Sequence, residues 1–179
     1  MKGIILAEFV EYIEQQLGDV TAQKIIDESG VESEGAYSRV GMYDYQELIE
    51  LLTQAVAETE TEAEVLLEGF SEHLFKMFKR DYSVFFNGVE SAGEMLSQID
   101  NHIHVEVKKL YPDAELPSFD YVQEGTKMTL SYSSPRPLAS VARALVGACL
   151  KYFGDKEQLV STDIALDQKS ATFEIKTLA

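Results

Sequence analysis

The sequence lacks the features that mark several common classes of protein. Its single cysteine, Cys149, cannot form an internal disulfide or a paired-cysteine zinc site. No apolar run approaches the roughly 20 residues that a membrane-spanning helix needs. Residues Met1 to Ile13 have neither the basic start nor the cleavage site of a secretory signal. We therefore expect a cytoplasmic protein that does not insert into a membrane.

Basic residues are also scarce. Lysine and arginine number 15 against 31 aspartates and glutamates, which gives a formal net charge of −16. A surface this acidic repels phosphate backbones and anionic lipid, so we expect no nucleic-acid partner. Basic protein surfaces stay open as partners.

The common catalytic motifs are missing as well. The chain has no phosphate-binding glycine loop, no dinucleotide fingerprint, no H-E-x-x-H and no G-x-S-x-G. Hydrophobic residues make up 45% and charged residues 26%, as in ordinary globular proteins. The chain is therefore expected to be an ordered globular protein without a generic catalytic motif.

Proline is absent from the first 111 residues, and all four prolines follow Tyr111. Near the N terminus, apolar residues recur every four positions, at Ile5, Phe9, Ile13 and Leu17. Because proline is excluded from helix interiors, this part is predicted to be helical. A last long helix is predicted from about Glu90 to Tyr111, where Pro112 stops it.

The residues after Pro112 have a different pattern. Two hairpins are predicted, with turns at Glu124–Thr126 and Asp167–Lys169, and a helix from Pro137 to Gly154 lies between them. The order of helices, hairpin, helix and hairpin predicts an α+β fold in which a small four-stranded antiparallel sheet packs on helices. No linker divides the chain, so we expect a single domain.

The sequence contains three histidines, and two of them lie close together. His102 and His104 fall in the predicted long helix, about 200° apart around its axis. They cannot both face the same interior, and periodicity does not choose between them. Without further information, both are surface or boundary residues. His73 lies on an earlier helix.

A second polar cluster is Tyr132-Ser133-Ser134-Pro135-Arg136. In an extended chain Tyr132, Ser134 and Arg136 point to the same side, because the strand repeats every two residues. Two hydroxyls and a guanidinium in line suit the carboxylates of a ligand, which an arginine binds bidentately. Taken alone, the same string also fits an ordinary exposed strand end.

Together these clusters resemble the H-NOX family, the haem-nitric-oxide/oxygen-binding domains related to the haem domain of soluble guanylate cyclase. The resemblance runs from the N-terminal M-K-G-I-I through H-V-E-V-K-K-L-Y-P and L-P-S-F to Y-S-S-P-R-P-L. It implies one haem-binding domain over residues 1–179, with a helical distal part of about 1–60 and a proximal part of about 61–179. The implied cofactor is haem b.

The family comparison also implies which histidine binds iron. The family's proximal ligand lies seven residues before the Tyr-Pro pair and thirteen before the proline of Pro-Ser-Phe. His104 satisfies both spacings, to Tyr111 and Pro117, and His102 satisfies neither. The resemblance therefore implies His104 as the axial ligand, with His102 facing solvent or lying behind the iron ligand.

The same resemblance assigns further haem contacts. Tyr132, Ser134 and Arg136 would hold the two propionates. The residues implied to pack on the porphyrin are Ile5, Pro117 and Leu145.

On the distal side, the resemblance points to apolar residues. O2-binding members carry a tyrosine five residues after the arginine of Y-x-S-x-R, and this chain has Val141 there. Phe9 and Leu74 stand at the supporting positions. None of these side chains donates a hydrogen bond, as in the NO-selective branch. Ser140 is the nearest hydroxyl, and His73 is a second residue that could reach the distal side.

The implied function is that of a stand-alone bacterial NO sensor. NO, and also CO, would bind five-coordinate ferrous haem, and NO would weaken the iron–His104 bond and so change the conformation. A separate partner such as a histidine kinase or diguanylate cyclase would carry the output. The alternatives are an O2 sensor of the same fold and a haem-free interaction module. A peroxidase-like or haem-degrading enzyme ranks last, because the distal positions supply no acid–base group.

Overall fold

The computed structural model describes residues 1–154 and 156–178. They form two compact units, Met1–Leu74 and Phe75–Ala179, called here the N-terminal and C-terminal units. Across the described residues, no helix combines the length and the apolar composition needed to cross a membrane.

The N-terminal unit is helical, as its lack of proline predicts. Its helices are α1 (Gly3–Leu17), α2 (Asp19–Ser29), α3 (Gln46–Thr59) and the first part of α4 (Ala63–Asp81). Gly18 and Gly30 end the first two helices with φ of 81° and 76°, a conformation that glycine adopts without strain. Before α3, the Asp44 carboxylate accepts a hydrogen bond from the Gln46 amide at 2.9 Å and so forms a turn that leads into the helix.

One end of α4 comes very near α1. A Cβ atom at Gly69 would lie 2.3 Å from the Tyr12 hydroxyl oxygen, so only glycine fits there without a shift. Around this point the Phe9 and Phe70 rings meet edge to face, with 4.9 Å between centroids. The core of the unit is built from these aromatic residues and from aliphatic residues of all four helices.

The C-terminal unit combines short helical segments with one sheet. After the end of α4 it contains a 3-10 turn (Ser83–Phe86), α5 (Ala92–Ser97), a π-helical turn (Ile99–Ile103), α6 (His104–Leu110), β1 (Ser118–Glu124), β2 (Lys127–Ser133), α7 (Ala139–Phe153), β3 (Glu157–Ile164) and β4 (Ser170–Thr177). The sheet is antiparallel with strand order β1-β2-β4-β3. The predicted α+β fold with a four-stranded sheet is confirmed.

Strand β2 shows how the sheet buries one face. Met128, Leu130 and Tyr132 are buried, whereas the residues between them are more exposed. They pair across the sheet with Ile175, Phe173 and Ala171 of β4. Because side chains alternate along a strand, this face joins the apolar core of the unit.

The prediction of one long helix from Glu90 to Tyr111 is wrong. The chain forms α5, a π-helical turn and α6 instead. The Gln98 carbonyl accepts from both the His102 and Ile103 amides at 3.0 Å, and the second bond spans five residues rather than four. One extra residue in a turn rotates everything after it by about 100°. No proline or glycine marks this turn, so apolar spacing could not reveal it.

Candidate haem site

The imidazole of His104 is held by one hydrogen bond. His104 opens α6, and its Nδ1 lies 2.8 Å from Oδ1 of Asp100, one turn earlier. An ionised carboxylate only accepts hydrogen bonds, so Nδ1 carries the hydrogen in this pair. Among the described residues Nε2 has no hydrogen-bond partner. The ring therefore offers one basic nitrogen at its tip.

The surroundings of His104 favour its neutral form. The side chain is 17% exposed. Burial lowers the pKa of His104, and the hydrogen bond to Asp100 opposes that shift in part. A neutral imidazole is the form that binds a metal ion.

Aromatic rings connect His104 to the sheet. The His104 and Phe119 ring centroids lie 5.9 Å apart, and those of Phe119 and Tyr132 lie 5.4 Å apart. Phe119 is on β1 and Tyr132 on β2, where they are direct cross-strand partners. The histidine and the polar cluster therefore belong to one region of the C-terminal unit.

Tyr132, Ser134 and Arg136 lie near one another, but not along one strand as the extended pattern predicts, because β2 ends at Ser133 and the chain bends after it. The Oγ of Ser134 accepts a hydrogen bond from the Arg136 amide at 3.1 Å. Burial raises the pKa of Tyr132, while Ser134 and the Arg136 charge act in the opposite direction. The phenol thus stays a neutral donor beside a fixed positive charge.

Glu115 is a partner that the sequence did not reveal. Its carboxylate accepts from Nη2 of Arg136, and its carbonyl accepts from Nη1 at 3.2 Å. Glu115 itself is 68% exposed. The guanidinium group of Arg136 is therefore oriented to bind a carboxylate, which here comes from the exposed Glu115.

Comparisons with known proteins show the family of the chain. A family model described as "Haem-NO-binding" matches residues 2–160. The chain belongs to the H-NOX family. A structure of the Fe(II) unliganded H-NOX protein from K. algicida is 34% identical, covers 100% of this chain and 97% of its own, and has a TM-score of 0.89.

Two other H-NOX structures extend the likeness. The H-NOX of Shewanella woodyi, solved in the Fe(II)CO state with IWP-051 bound, is 31% identical over 99% of this chain and 95% of its own, with a TM-score of 0.81. The H-NOX of S. oneidensis in the Fe(II)NO state is 21% identical over the full length of both chains, with a TM-score of 0.87, which shows the fold. The search of curated proteins finds no match.

The residues of this H-NOX chain fit the haem that its family binds. An iron ligand needs an unprotonated ring nitrogen, and Nε2 of His104 is one without a competing partner. Propionates need cationic and hydroxyl donors, and Arg136, Tyr132 and Ser134 provide them side by side. The fit lies entirely within the C-terminal unit.

The other two histidines are engaged elsewhere. His102 meets Phe85 edge to face, with centroids 5.8 Å apart. In the N-terminal unit, Nε2 of His73 lies 2.8 Å from Oε2 of Glu8. Glu8 is completely buried and also binds Arg39 at 2.6 Å. His73 is therefore part of a polar network within the core of that unit.

The residues that the H-NOX resemblance assigns to haem packing and to the distal side lie in both units. In the N-terminal unit Phe9 and Leu74 are buried and Ile5 is half-buried. In the C-terminal unit Pro117, Val141 and Leu145 are half-buried, the last two on α7. Their contact with haem stays a prediction.

Two hydroxyls bear on the distal assignment. Ser140 donates its hydroxyl hydrogen to Oε1 of Gln168 at 2.7 Å, so this donor is already used. Ser71, which the sequence analysis did not single out, is buried, and its Oγ has no partner among the described residues. It lies on α4, three residues before Leu74. No sequence signal distinguishes it from other helical serines.

Proposed function

We propose that this H-NOX chain is a haem-based sensor of nitric oxide, with His104 as the axial ligand of five-coordinate ferrous haem b. The observation that carries the proposal is the His104 ring, whose Nδ1 is held by Asp100 while Nε2 is left without a partner. Haem, when bound, supplies the iron that takes up the gas. The protein supplies the ligand, the orientation and the pocket.

The cluster on β2 would anchor the cofactor. Arg136 would exchange the Glu115 carboxylate for a propionate, and Tyr132 and Ser134 would donate their hydroxyls to the propionates. Because Glu115 is exposed, its release into water costs little. Ile5, Pro117 and Leu145 would pack on the porphyrin.

The proposed preference for NO over O2 rests on the lack of hydrogen-bond donors at the distal positions that the resemblance assigns. Bound O2 carries partial negative charge and is stabilised by a distal hydrogen-bond donor, which NO does not need. Val141, Phe9 and Leu74 cannot donate, and the Ser140 hydroxyl is committed to Gln168. CO also needs no donor, and the S. woodyi relative was solved in the Fe(II)CO state.

The position of His104 suggests how a signal would start. It is the first residue of α6 and follows the π-helical turn directly. Loss of its bond to iron would free both segments to repack, which shifts the population between two conformations. We propose that a separate cytoplasmic partner, such as a histidine kinase or a diguanylate cyclase, reads that change, and that the chain itself is not an enzyme.

An absorption spectrum of the reduced, haem-loaded protein tests this function. It would be recorded under argon, then in air, then with NO. We expect a five-coordinate ferrous spectrum that brief exposure to air does not change and that NO converts to a form without the His104 bond. A stable oxygen complex in air would contradict NO selectivity, and failure to take up haem would contradict the whole proposal.

An O2 sensor of the same fold is the second candidate, and one observation favours it. The buried Ser71 hydroxyl has no partner among the described residues and is a potential donor near Leu74 in the sequence. The variant Ser71→Ala distinguishes the two cases. If O2 is the ligand, this change weakens O2 binding, whereas an NO sensor keeps its gas selectivity.

A further inference from the structure

The pair formed by Asp100 and His104 has a geometry that recurs behind metal-bound histidines. Its Nδ1–Oδ1 distance is 2.8 Å, and the two residues are four positions apart. Histidines that bind metals usually donate their other ring N–H to a carboxylate or carbonyl, which fixes the tautomer and makes the ligand more basic. Asp100 is the only hydrogen-bond partner of the His104 ring among the described residues.

The π-helical turn provides the local frame for this pair. Asp100 lies inside the turn and His104 directly follows it. Such turns are rare and occur often at functional sites. Residues four apart in a regular α-helix also share a face, so the turn is not needed to bring the side chains near each other. It does set where that shared face points relative to α5.

We propose that Asp100 is the positioning residue for the iron ligand, and that its carboxylate both directs Nε2 of His104 toward the iron and strengthens the iron–histidine bond. This inference rests on the proposed function and deepens it. The carboxylate polarises the N–H of the ring, so Nε2 gains electron density. A stronger bond at Nε2 raises the barrier that a gas must overcome to release His104.

Asp100 is suited to this task by its surroundings. The side chain is 34% exposed, so the oxygen that does not face His104 can be solvated by water. Lys108 is the other charged residue that acts on His104, and its positive charge opposes protonation of the ring rather than competing for Nδ1. Asp100 is thus the acceptor for the Nδ1 hydrogen, and Lys108 cannot replace it in that role.

Resonance Raman spectroscopy of the reduced, haem-loaded protein tests the proposal through the iron–histidine stretching band. Asp100→Ala removes the acceptor, so the band should move to lower frequency. Asp100→Asn keeps an oxygen that accepts from Nδ1 but removes the charge, so we expect a smaller shift in the same direction. In parallel, haem transfer to an excess of apomyoglobin should be about tenfold faster for Asp100→Ala than for the wild type. Loss of a residue that is hydrogen-bonded to a metal ligand typically weakens metal binding by such a factor.

Addition of NO gives a further readout. The fraction of protein in which His104 has left the iron should be higher in both Asp100 variants than in the wild type, at the same NO concentration. Asn101→Ala is the matched control, because Asn101 is exposed and lies in the same turn. It should leave the band and the haem transfer rate unchanged.

The outcomes separate this inference from the proposed function. If the wild type shows no iron–histidine band, the proposed function fails. If it shows the band and neither Asp100 variant moves it, the function stands and the role of Asp100 is refuted. Equal shifts in Asn101→Ala would also refute it, since the effect would come from the turn. A shift in Asp100→Ala but none in Asp100→Asn would refute the part that assigns bond strength to the charge.

Discussion

The two units of the molecule each contain a histidine paired with a carboxylate, and the two pairs are built differently. His73 with Glu8 and His104 with Asp100 have the same 2.8 Å separation, and both imidazoles are 17% exposed. In the N-terminal unit the contact is made by Nε2, across 65 positions of sequence. In the C-terminal unit it is made by Nδ1, across four.

The difference lies in which nitrogen remains available. Oε2 of Glu8 contacts Nε2 of His73, and Oε1 of Glu8 binds Arg39. The pair is therefore part of a buried polar network. Asp100 is hydrogen-bonded to Nδ1 of His104, so Nε2 has no partner among the described residues. The first pair uses the Nε2 atom of its histidine within a buried network, whereas the second leaves Nε2 available for the proposed iron. A short distance to a carboxylate does not by itself mark a ligand.

The largest expected effect comes from removing the His104 imidazole. His104→Gly should lose haem, because Tyr132, Ser134 and Arg136 have no imidazole nitrogen that could bind iron. Free imidazole should restore haem binding. Haem content per protein, measured by absorbance, checks this.

His102→Ala is the matched control and should retain haem. If His102→Ala loses haem and His104→Gly keeps it, the family spacing selected the wrong histidine.

The pair of His73 and Glu8 should instead affect the free energy of unfolding. Glu8→Ala removes a buried carboxylate together with its bonds to Arg39 and His73, and should lower the free energy of unfolding by about 2–4 kcal/mol. Urea unfolding followed by circular dichroism measures this. Glu14→Ala, on the exposed face of the same helix, should change it by less than about 0.5 kcal/mol.

A smaller effect is expected where α4 approaches α1. Gly69→Ala gains helix propensity, but its methyl group would collide with the Tyr12 hydroxyl, 2.3 Å from the ideal Cβ position. The ring is buried and cannot swing away, so we expect a net loss of about 1–2 kcal/mol. The melting temperature reports it, and a higher melting temperature would show that the ring moves without strain.

The smallest effect concerns Cys149 in the C-terminal unit. Burial, with a contribution from the Glu157 charge, raises the pKa of the thiol well above its usual range. The thiol should therefore stay protonated and react slowly with a disulfide reagent at pH 7 to 9, until denaturant exposes it.

The rate of this thiol reaction also tests whether the two units unfold together. In Glu8→Ala it reports whether loss of the N-terminal network opens the C-terminal unit. An unchanged rate would mean that the two units unfold separately, and a faster rate that they unfold together.

Much of the fold followed from local signals. The absence of proline before Pro112, the glycines after α1 and α2, and the turn residues of both hairpins each act through neighbours in sequence. Tyr132, Ser134 and Arg136 also lie close together, as neighbours in sequence can, although β2 ends at Ser133 and the strand period does not extend to the last two.

Other features depended on distant parts of the chain. Glu8 looks like any acidic residue of a surface helix, yet it is buried because Arg39 and His73 converge on it. Glu115 reaches Arg136 across a strand hairpin. The π-helical turn before His104 interrupts a pattern that reads as one helix. None of these has a signal in a short window of sequence.

The sequence by itself determined most of the helical and strand segments, the family and the spacing that favours His104, because these depend on residues a few positions apart or on a motif read in order. Only the tertiary structure decided which ring nitrogen each histidine keeps available. For His73 this depends on Glu8, which lies 65 positions away in sequence and which only the fold brings to the ring. For His104 the carboxylate lies four positions away, and the folded backbone sets which oxygen and which nitrogen meet at 2.8 Å.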